Sequence, residues 1–319
     1  MAFHTMRQNT RSIQLFVAVY EELSFTVAAQ RENATQSGVS QHVSDLEDSL
    51  GVKLFTRGLG AVQPTPAGTA YYSACIEFLN AHERTLRAIE PFQGSRQGEI
   101  KVGMTPVLTR AVLAPAYSRF TKQNPNVIVR IIDSYFGDLT DRVRSGELTF
   151  AIVPSSVGSK GVRTSFFARS PEMLISGKAS LFKHCEPLKL ADVGHLELAM
   201  PGPNNARRKM IDAYLTSNGV VVKRFAEFDT MAGTMDLVTR GEWSTIFPMV
   251  MITNDIESGK YTINPIVDPP LMLETFTIEP ARKTMNAVAM DFLNCVKEEF
   301  EASIAKATAL MEQGRHQRA

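Results

Sequence analysis

Cysteine is scarce in this chain: Cys75, Cys185 and Cys295 are odd in number and spread widely over 319 residues. That spacing argues against a disulfide framework or a clustered zinc site and reads as three reduced, buried thiols. The six histidines show no metal-ligand spacing, so no metal is expected. No apolar run reaches membrane-spanning length, and the start MAFHTMRQNTRSIQLF lacks a basic segment followed by a continuous apolar one. No membrane association is expected, and the cytoplasm is the expected location. Catalytic signatures are missing as well: there is no GxSxG elbow, no GxxxxGK[ST] phosphate loop and no HExxH. Asp133, Asp138 and Asp141 near a strand end read as caps and surface charges, so neither an enzyme nor a bound cofactor is expected. An excess of positive charge is also lacking. The net charge is +1, and up to Gly68 Arg7, Arg11, Arg31, Lys53 and Arg57 are outnumbered by Glu21, Glu22, Glu32, Asp45, Glu47 and Asp48. With 44% hydrophobic and 21% charged residues, the chain can build two or three units with real cores.

The informative stretch is SFTVAAQRENATQSGVSQHVSDLEDSLGVKLFTRGLGAVQPTPAG, Ser24 to Gly68. Ser24 can cap a short helix from Phe25, in which Ala28 and Ala29 are small enough for a second helix to cross closely. Asn33 and Ala34 make the turn, and Thr35 caps the second helix, which starts near Gln36. Val39, Val43, Leu46 and Leu50 recur at helical spacing and bury one face. Thr35, Gln36, Ser37, Ser40, Gln41 and His42 are left at the exposed amino end, where a recognition helix carries its base-reading groups; a Gln amide can pair bidentately with adenine. Gly51 ends that helix in a left-handed cap. Leu54 and Phe55, a turn at Gly58 and Gly60, and Val62 before Pro64 outline a two-stranded wing carrying Arg57.

On these residues the chain resembles the LysR-type transcriptional regulators. Phe16, Ser24, Phe25, Ala28, Ala29, Gln36, Val39, Ser40, Leu46, Glu47, Leu50, Gly51, Leu54, Phe55, Arg57, Thr65, Ala67 and Gly68 match the family pattern in register. Glu32 stands where leucine is common, and Ser37 where proline or a small residue is common. The expected partners are therefore double-stranded DNA, a small-molecule effector and further copies of the chain. With no basic footprint, DNA affinity has to come from Arg57, Lys53 and Arg31, from helix amino ends and from paired subunits. Half-sites should lie about one helical turn apart, roughly 34 Å, or a multiple of it.

The segment from Thr69 to Pro91 reads as one long helix with Tyr72, Ile76, Leu79, Leu86 and Ile89 on a stripe. The stripe packs either on its own chain or on a second subunit. The resemblance implies the second, in a homodimer or homotetramer. GSRQG, from Gly94 to Gly98, is the best boundary. The expected layout is a winged helix-turn-helix over 1–69, a linker helix and hinge over 70–97, and an effector-binding domain over 98–319. Its first lobe comprises 98–170 with 272–319, and its second 171–271.

After the boundary, strands alternate with helices in the rhythm of a parallel sheet. Strands are expected around Ile100–Gly103, Val127–Ile132, Phe150–Val153, Glu172–Ser176, Leu196–Met200, Ser244–Phe247 and Leu271–Ile278. Helices are expected at Leu113–Thr121, Leu139–Gly146, Ala206–Asn218, Met231–Arg240 and Thr284–Lys306. The overall expectation is an α/β chain whose amino-terminal winged helix-turn-helix precedes a two-lobed, periplasmic-binding-protein-like domain with a ligand cleft at its strand ends.

The resemblance implies that the effector contacts Thr105, Pro106 and Val107, then Ser134 and Tyr135, then Pro201, Gly202, Pro203 and Asn204. Thr230 and Phe247 would close the far side. Thr105 precedes a helix whose unpaired N–H groups favour a carboxylate, and Arg207 or Arg110 could complete the charge match. A small anionic organic effector is thus expected. Trp243 reads either as a stacking surface for ligand or as packing beside a strand. Two other classes stand beside the regulator: an enzyme built on the aspartates, and a solute-binding protein, which would bind ligand without DNA affinity.

Overall fold

A computed structural model of the chain describes residues 10–57, 62–89, 98–154, 160–178, 180–194 and 196–316. The wing turn at Gly58 and Gly60, and most of GSRQG, lie outside the described residues, as do the side chains of Arg57 and Leu86. The chain divides into two units. One runs to Gly94 and includes Ser159–Arg163 and Pro280–Thr284; the other holds the remainder. Among the described residues no helix is long and apolar enough to cross a membrane.

In the first unit, α1 (Thr10–Glu22), α2 (Phe25–Arg31) and α3 (Gln36–Leu50) are followed by β1 (Phe55–Arg57), β2 (Val62–Pro64) and α4 (Pro66–Arg87). The cap chemistry determines where the helices begin. Ser24 Oγ accepts from Val27 N, Thr35 Oγ1 accepts from Gly38 N, and Gly51 at φ 67° terminates α3. Leu15, Phe16, Val19, Ala28, Ala29, Val39, Val43 and Leu46 meet Leu54, Phe55, Cys75 and Leu79 in one core. β1 and β2 pair antiparallel, Phe55 opposite Pro64 and Arg57 opposite Val62. Thr65 Oγ1 donates to Lys53 O at 2.8 Å and accepts from Gly68 N at 2.9 Å, tying the first turn of α4 under the wing. Gly68 is needed there because a Cβ would sit 2.2 Å from Leu54 O.

In the second unit, β3 (Gly98–Met104) leads into α5 (Pro106–Leu108), a π turn at Thr109–Leu113 and α6 (Ala114–Gln123). β4 (Val127–Asp133), α7 (Phe136–Ser145), β5 (Phe150–Val153) and the long β6 (Val162–Gly177) follow. Then come β7 (Leu196–Met200), α8 (Ala206–Ser217), β8 (Val222–Glu227), α9 (Met231–Thr239), β9 (Ser244–Pro248), α10 (Met249–Ile252), β10 (Tyr261–Pro265), β11 (Met272–Pro280) and α11 (Ala287–His316). Strands run in the order β4-β3-β5-β11-β6-β9-β7-β8, with β10 against β6. β4, β3 and β5 are parallel and form one lobe with antiparallel β11; β7, β8 and β9 are parallel and form the other with β6.

The helices and strands expected here form, with three differences that have physical reasons. β6 begins ten residues before Glu172, and Pro171 stands where the strand changes partner. Its pairing with β9 starts at Glu172, while Ala168 O accepts from Thr275 Oγ1 on β11. α11 runs beyond Lys306 to His316 because its last turns have an apolar surface to cover. Phe292, Val296 and Phe300 fill the core of the first lobe, whereas Ala307 and Met311 enter the core of the second beside Met173 and Ile263. The carboxy-terminal turns grouped by sequence with the first lobe therefore pack in the other. β8 and β10 gave no clear signal: β8 is a half-exposed edge, and β10 is a short strand ending in Pro265.

Candidate functional site

The exposed end of α3 is built from its cap outward. Thr35, Gln36, Ser37 and Gln41 are exposed, while Ser40 and His42 are half-buried. Thr35 Oγ1 is committed to the cap and also accepts from Ser37 Oγ. Gln41 Nε2 donates to Asp45 Oδ1 at 2.7 Å, a bond it must exchange in order to read a base. His42 Nδ1 lies 3.1 Å from Ser12 Oγ on α1, so its ring leans back onto the domain. Arg57 ends β1.

Two cations counted on for phosphate are engaged. Arg31 has a side chain only 3% exposed and is bound to Glu21 and, at 2.7 Å, to Glu22, so it is a structural ion pair rather than a DNA contact. Glu21 also accepts from Tyr72 of α4 at 2.9 Å. Glu32, the departure from leucine, is held by Arg11 at 3.1 Å and by Arg282, which explains how a charge is tolerated there. Lys53 remains exposed but pairs with Glu47 at 3.0 Å.

Glu47 is the residue whose role the sequence pattern did not explain. Its Oε1 accepts from Leu54 N at 2.8 Å and Phe55 N at 3.1 Å, all in the buried interior, so it ties the recognition helix to the start of the wing. Burial pushes its pKa up, but Lys53 and the two amides outweigh that and leave it below the usual glutamate value.

In the second unit, an open cleft lies where the strands of both lobes end. Of the residues expected there, Thr105, Pro106, Val107, Tyr135, Pro201, Asn204 and Phe247 line it. Ser134, Gly202, Pro203 and Thr230 are not among its lining residues. Gly202 N instead donates to Asp229 Oδ1 at 2.9 Å, and Thr230 caps α9 through Gly233 N. Ser134 continues β3 pairing through Met104 O, and Pro203 is exposed.

The lining also includes Phe136, Pro154, Arg207, Phe228, Asp229, Met231 and Thr245, most of them not singled out beforehand. Phe136 had a sequence signal, since it opens α7 just after the expected strand β4, as Pro106 opens α5 after β3; Met231 opens α9 after β8, which gave none. The amino ends of α7, α8 and α9 and the turn at Pro106 therefore converge on one space. Tyr135 Oη donates to Asp229 O at 2.5 Å across it. Thr105 makes no side-chain capping bond.

Neither arginine is a free counter-charge. Arg110 donates to Met251 O at 2.6 Å and to Asp255 at 2.8 Å and is not in the lining. Arg207 reaches the cleft but is bound to Glu172 at 3.0 Å. Trp243 packs beneath Arg224, 5.2 Å from ring centroid to guanidinium carbon, and is not part of the lining.

Comparison with known proteins agrees with this geometry. The model of the bacterial regulatory helix-turn-helix protein, lysR family, matches residues 10–69, and that of the LysR substrate binding domain matches residues 93–301. The chain is 24% identical to the HTH-type transcriptional activator AaeR of Escherichia coli K12, over 80% of this chain and 82% of that one. Among solved structures it is similar to a peroxide-bound cysteine mutant of OxyR from Corynebacterium glutamicum, with a TM-score of 0.60 and 20% identity, covering 96% and 97% of the two chains. It is also similar to CbnR bound to its target DNA, with a TM-score of 0.53 and 19% identity, covering 92% and 100%. With a helix-turn-helix and its two-stranded wing in one unit, a two-lobed domain with a cleft in the other, and both family models matched, the chain is a DNA-binding, effector-responsive transcription factor and belongs to the LysR family of transcriptional regulators.

Proposed function

We propose that the effector of this regulator is a small organic acid with an apolar, flat body, held in the cleft of the second unit. One observation carries the reading: the helix starts at Pro106, Phe136, Ala206 and Met231 all converge on a space walled by Phe136, Phe228, Phe247 and Met231. Unpaired N–H groups at helix amino ends suit one carboxylate, and the aromatic walls suit an apolar body. Thr105 offers a hydroxyl, and Tyr135 with Asp229 spans the opening. Effector binding shifts the population between two arrangements of the subunits, and only differential affinity for the two can switch DNA binding. Gln36, Ser37 and Gln41 are assigned to the base edges, with Thr35, Ser40, His42 and Arg57 beside them as the DNA-facing set. Exposed Phe78 on α4 supports pairing of that helix with a second copy. A cytoplasmic location accords with such a role.

The test is a thermal-shift panel of small carboxylic acids against their primary amides, followed by calorimetry on Thr105→Val. Stabilisation by acids and not by amides, with binding weakened about tenfold in Thr105→Val, is expected for loss of one hydrogen bond to a charged group. Amides that bind as well as acids would move the reading to a neutral ligand, and unchanged affinity in Thr105→Val would move the carboxylate away from that junction.

A further inference from the structure

The charged side chains among the cleft-lining residues are Arg207 and Asp229. Arg207 is the second residue of α8, and its guanidinium is already engaged. Nε and Nη2 donate to Glu172 Oε1 at 3.3 and 3.0 Å, and Nη2 also donates to Glu172 Oε2 and to Ile246 O, each at 3.0 Å. The guanidinium carbon also lies 5.2 Å over the ring centroid of Phe247, another residue of the cleft wall. Glu172, on β6, has no exposed side-chain surface, and the Arg207 side chain is only 8% exposed.

We propose that Glu172 is a specificity-determining residue: by occupying Arg207 it limits the cleft to ligands with a single negative charge and turns away dianions and inorganic oxyanions. This rests on the reading that the cleft holds the effector, and it narrows the class from organic acids to monoacids.

The balance of charges makes the argument. Arg207 and Glu172 cancel, and Asp229 adds one negative charge to the lining. A ligand oxyanion can recruit Arg207 fully only by drawing it from Glu172. That would strand a carboxylate with no access to water, a cost of several kcal/mol for an unpaired buried ion. Burial already pushes the Glu172 carboxyl up, with Arg207 as the opposing influence, so the pair has little to give away. One carboxylate can instead be met by neutral donors, whereas a second negative charge finds no free cation among the lining side chains. Elsewhere in the second unit, the cavity between the end of α11 and β10 has Lys178 and Glu257 both in its lining, and no feature of it selects a ligand class.

The probe is inorganic sulfate, titrated by calorimetry into the full-length protein. Wild type is expected to show no saturable heat at millimolar sulfate. Glu172→Gln frees Arg207 at the cleft wall and is expected to gain saturable binding about tenfold tighter or more, the least expected for an unpaired, largely desolvated cation. The double variant Glu172→Gln/Arg207→Gln should lose it again, which separates site binding from the general stabilisation sulfate gives any fold. A folded Glu172→Gln, judged by its Trp243 emission, that gains nothing would overturn the proposal. Wild type with Arg207→Gln provides an arm that does not depend on how Glu172→Gln folds: saturable sulfate binding by wild type that disappears in Arg207→Gln would equally overturn it. Sulfate capture by Glu172→Gln with no carboxylate binding to wild type would keep the charge assignment and sink the effector reading; carboxylate binding without sulfate capture would do the reverse.

Discussion

Replacing Glu47 is the sharpest test of how the recognition helix is held. In Glu47→Ala the amides of Leu54 and Phe55, at residues 1% and 3% exposed, lose their acceptor. Each orphaned donor costs about 1–3 kcal/mol, so the first unit should lose about 2–6 kcal/mol. Glu47→Gln keeps a carbonyl oxygen for both amides and gives up chiefly the pairing with Lys53, whose side chain is 65% exposed, so its cost should stay near 1 kcal/mol. The assay is urea denaturation of the full chain followed by two signals. The sole tryptophan, Trp243, lies in the second unit and reports that unit's transition, while far-UV circular dichroism reports both. Only the transition not seen by Trp243 should move. Equal losses in the Ala and Gln variants, or an equal shift of the Trp243 transition, would refute the reasoning. The pH dependence has a definite sign. The folded-state pKa of Glu47 lies below its ordinary 4.5, so its contribution is complete above that value and is lost as pH falls through the lower folded pKa. Wild type and Glu47→Gln should therefore converge in stability on the acid side and separate towards neutrality.

Three further outcomes are expected. Gln36→Ala should reduce discrimination between the DNA upstream of the protein's own gene and scrambled DNA of equal length by about 1–3 kcal/mol; a proportional loss on both DNAs would assign Gln36 to the backbone instead. Gly68→Ala brings a methyl group 2.2 Å from the Leu54 carbonyl oxygen and should destabilise the first unit by about 2–3 kcal/mol, with the Trp243 transition again unmoved. Burial pushes the Cys75 thiol up to about 11 from 9.0, with only partial relief from Tyr71, so iodoacetamide at pH 8 should label it at least about a hundredfold more slowly than in the urea-unfolded chain. Equal labelling rates would show that the α4 core opens readily.

Local chemistry made the amino-terminal unit readable. Caps at Ser24, Thr35 and Gly51 act within one turn, and the Val39, Val43, Leu46 periodicity needs only the helix itself, so both follow from short stretches of chain. The alternation of strands and helices after Gly98 was legible for the same reason, whereas Thr105, Tyr135, Asn204 and Phe247, which line the cleft, were expected there from the family resemblance. Beyond that range the sequence was silent, because the deciding partners are far apart along the chain. Whether Arg31 faces phosphate or Glu21, whether Arg207 serves a ligand or Glu172, and where α11 stops are settled by which surfaces the fold brings together. Glu172 and Arg207 are 35 residues apart, and burial is what makes their pairing obligatory. The amino-acid sequence by itself thus determined the family and most of the helices and strands; only the tertiary structure decided which charges remain available, because desolvation and pairing are properties of packed surfaces and not of local sequence.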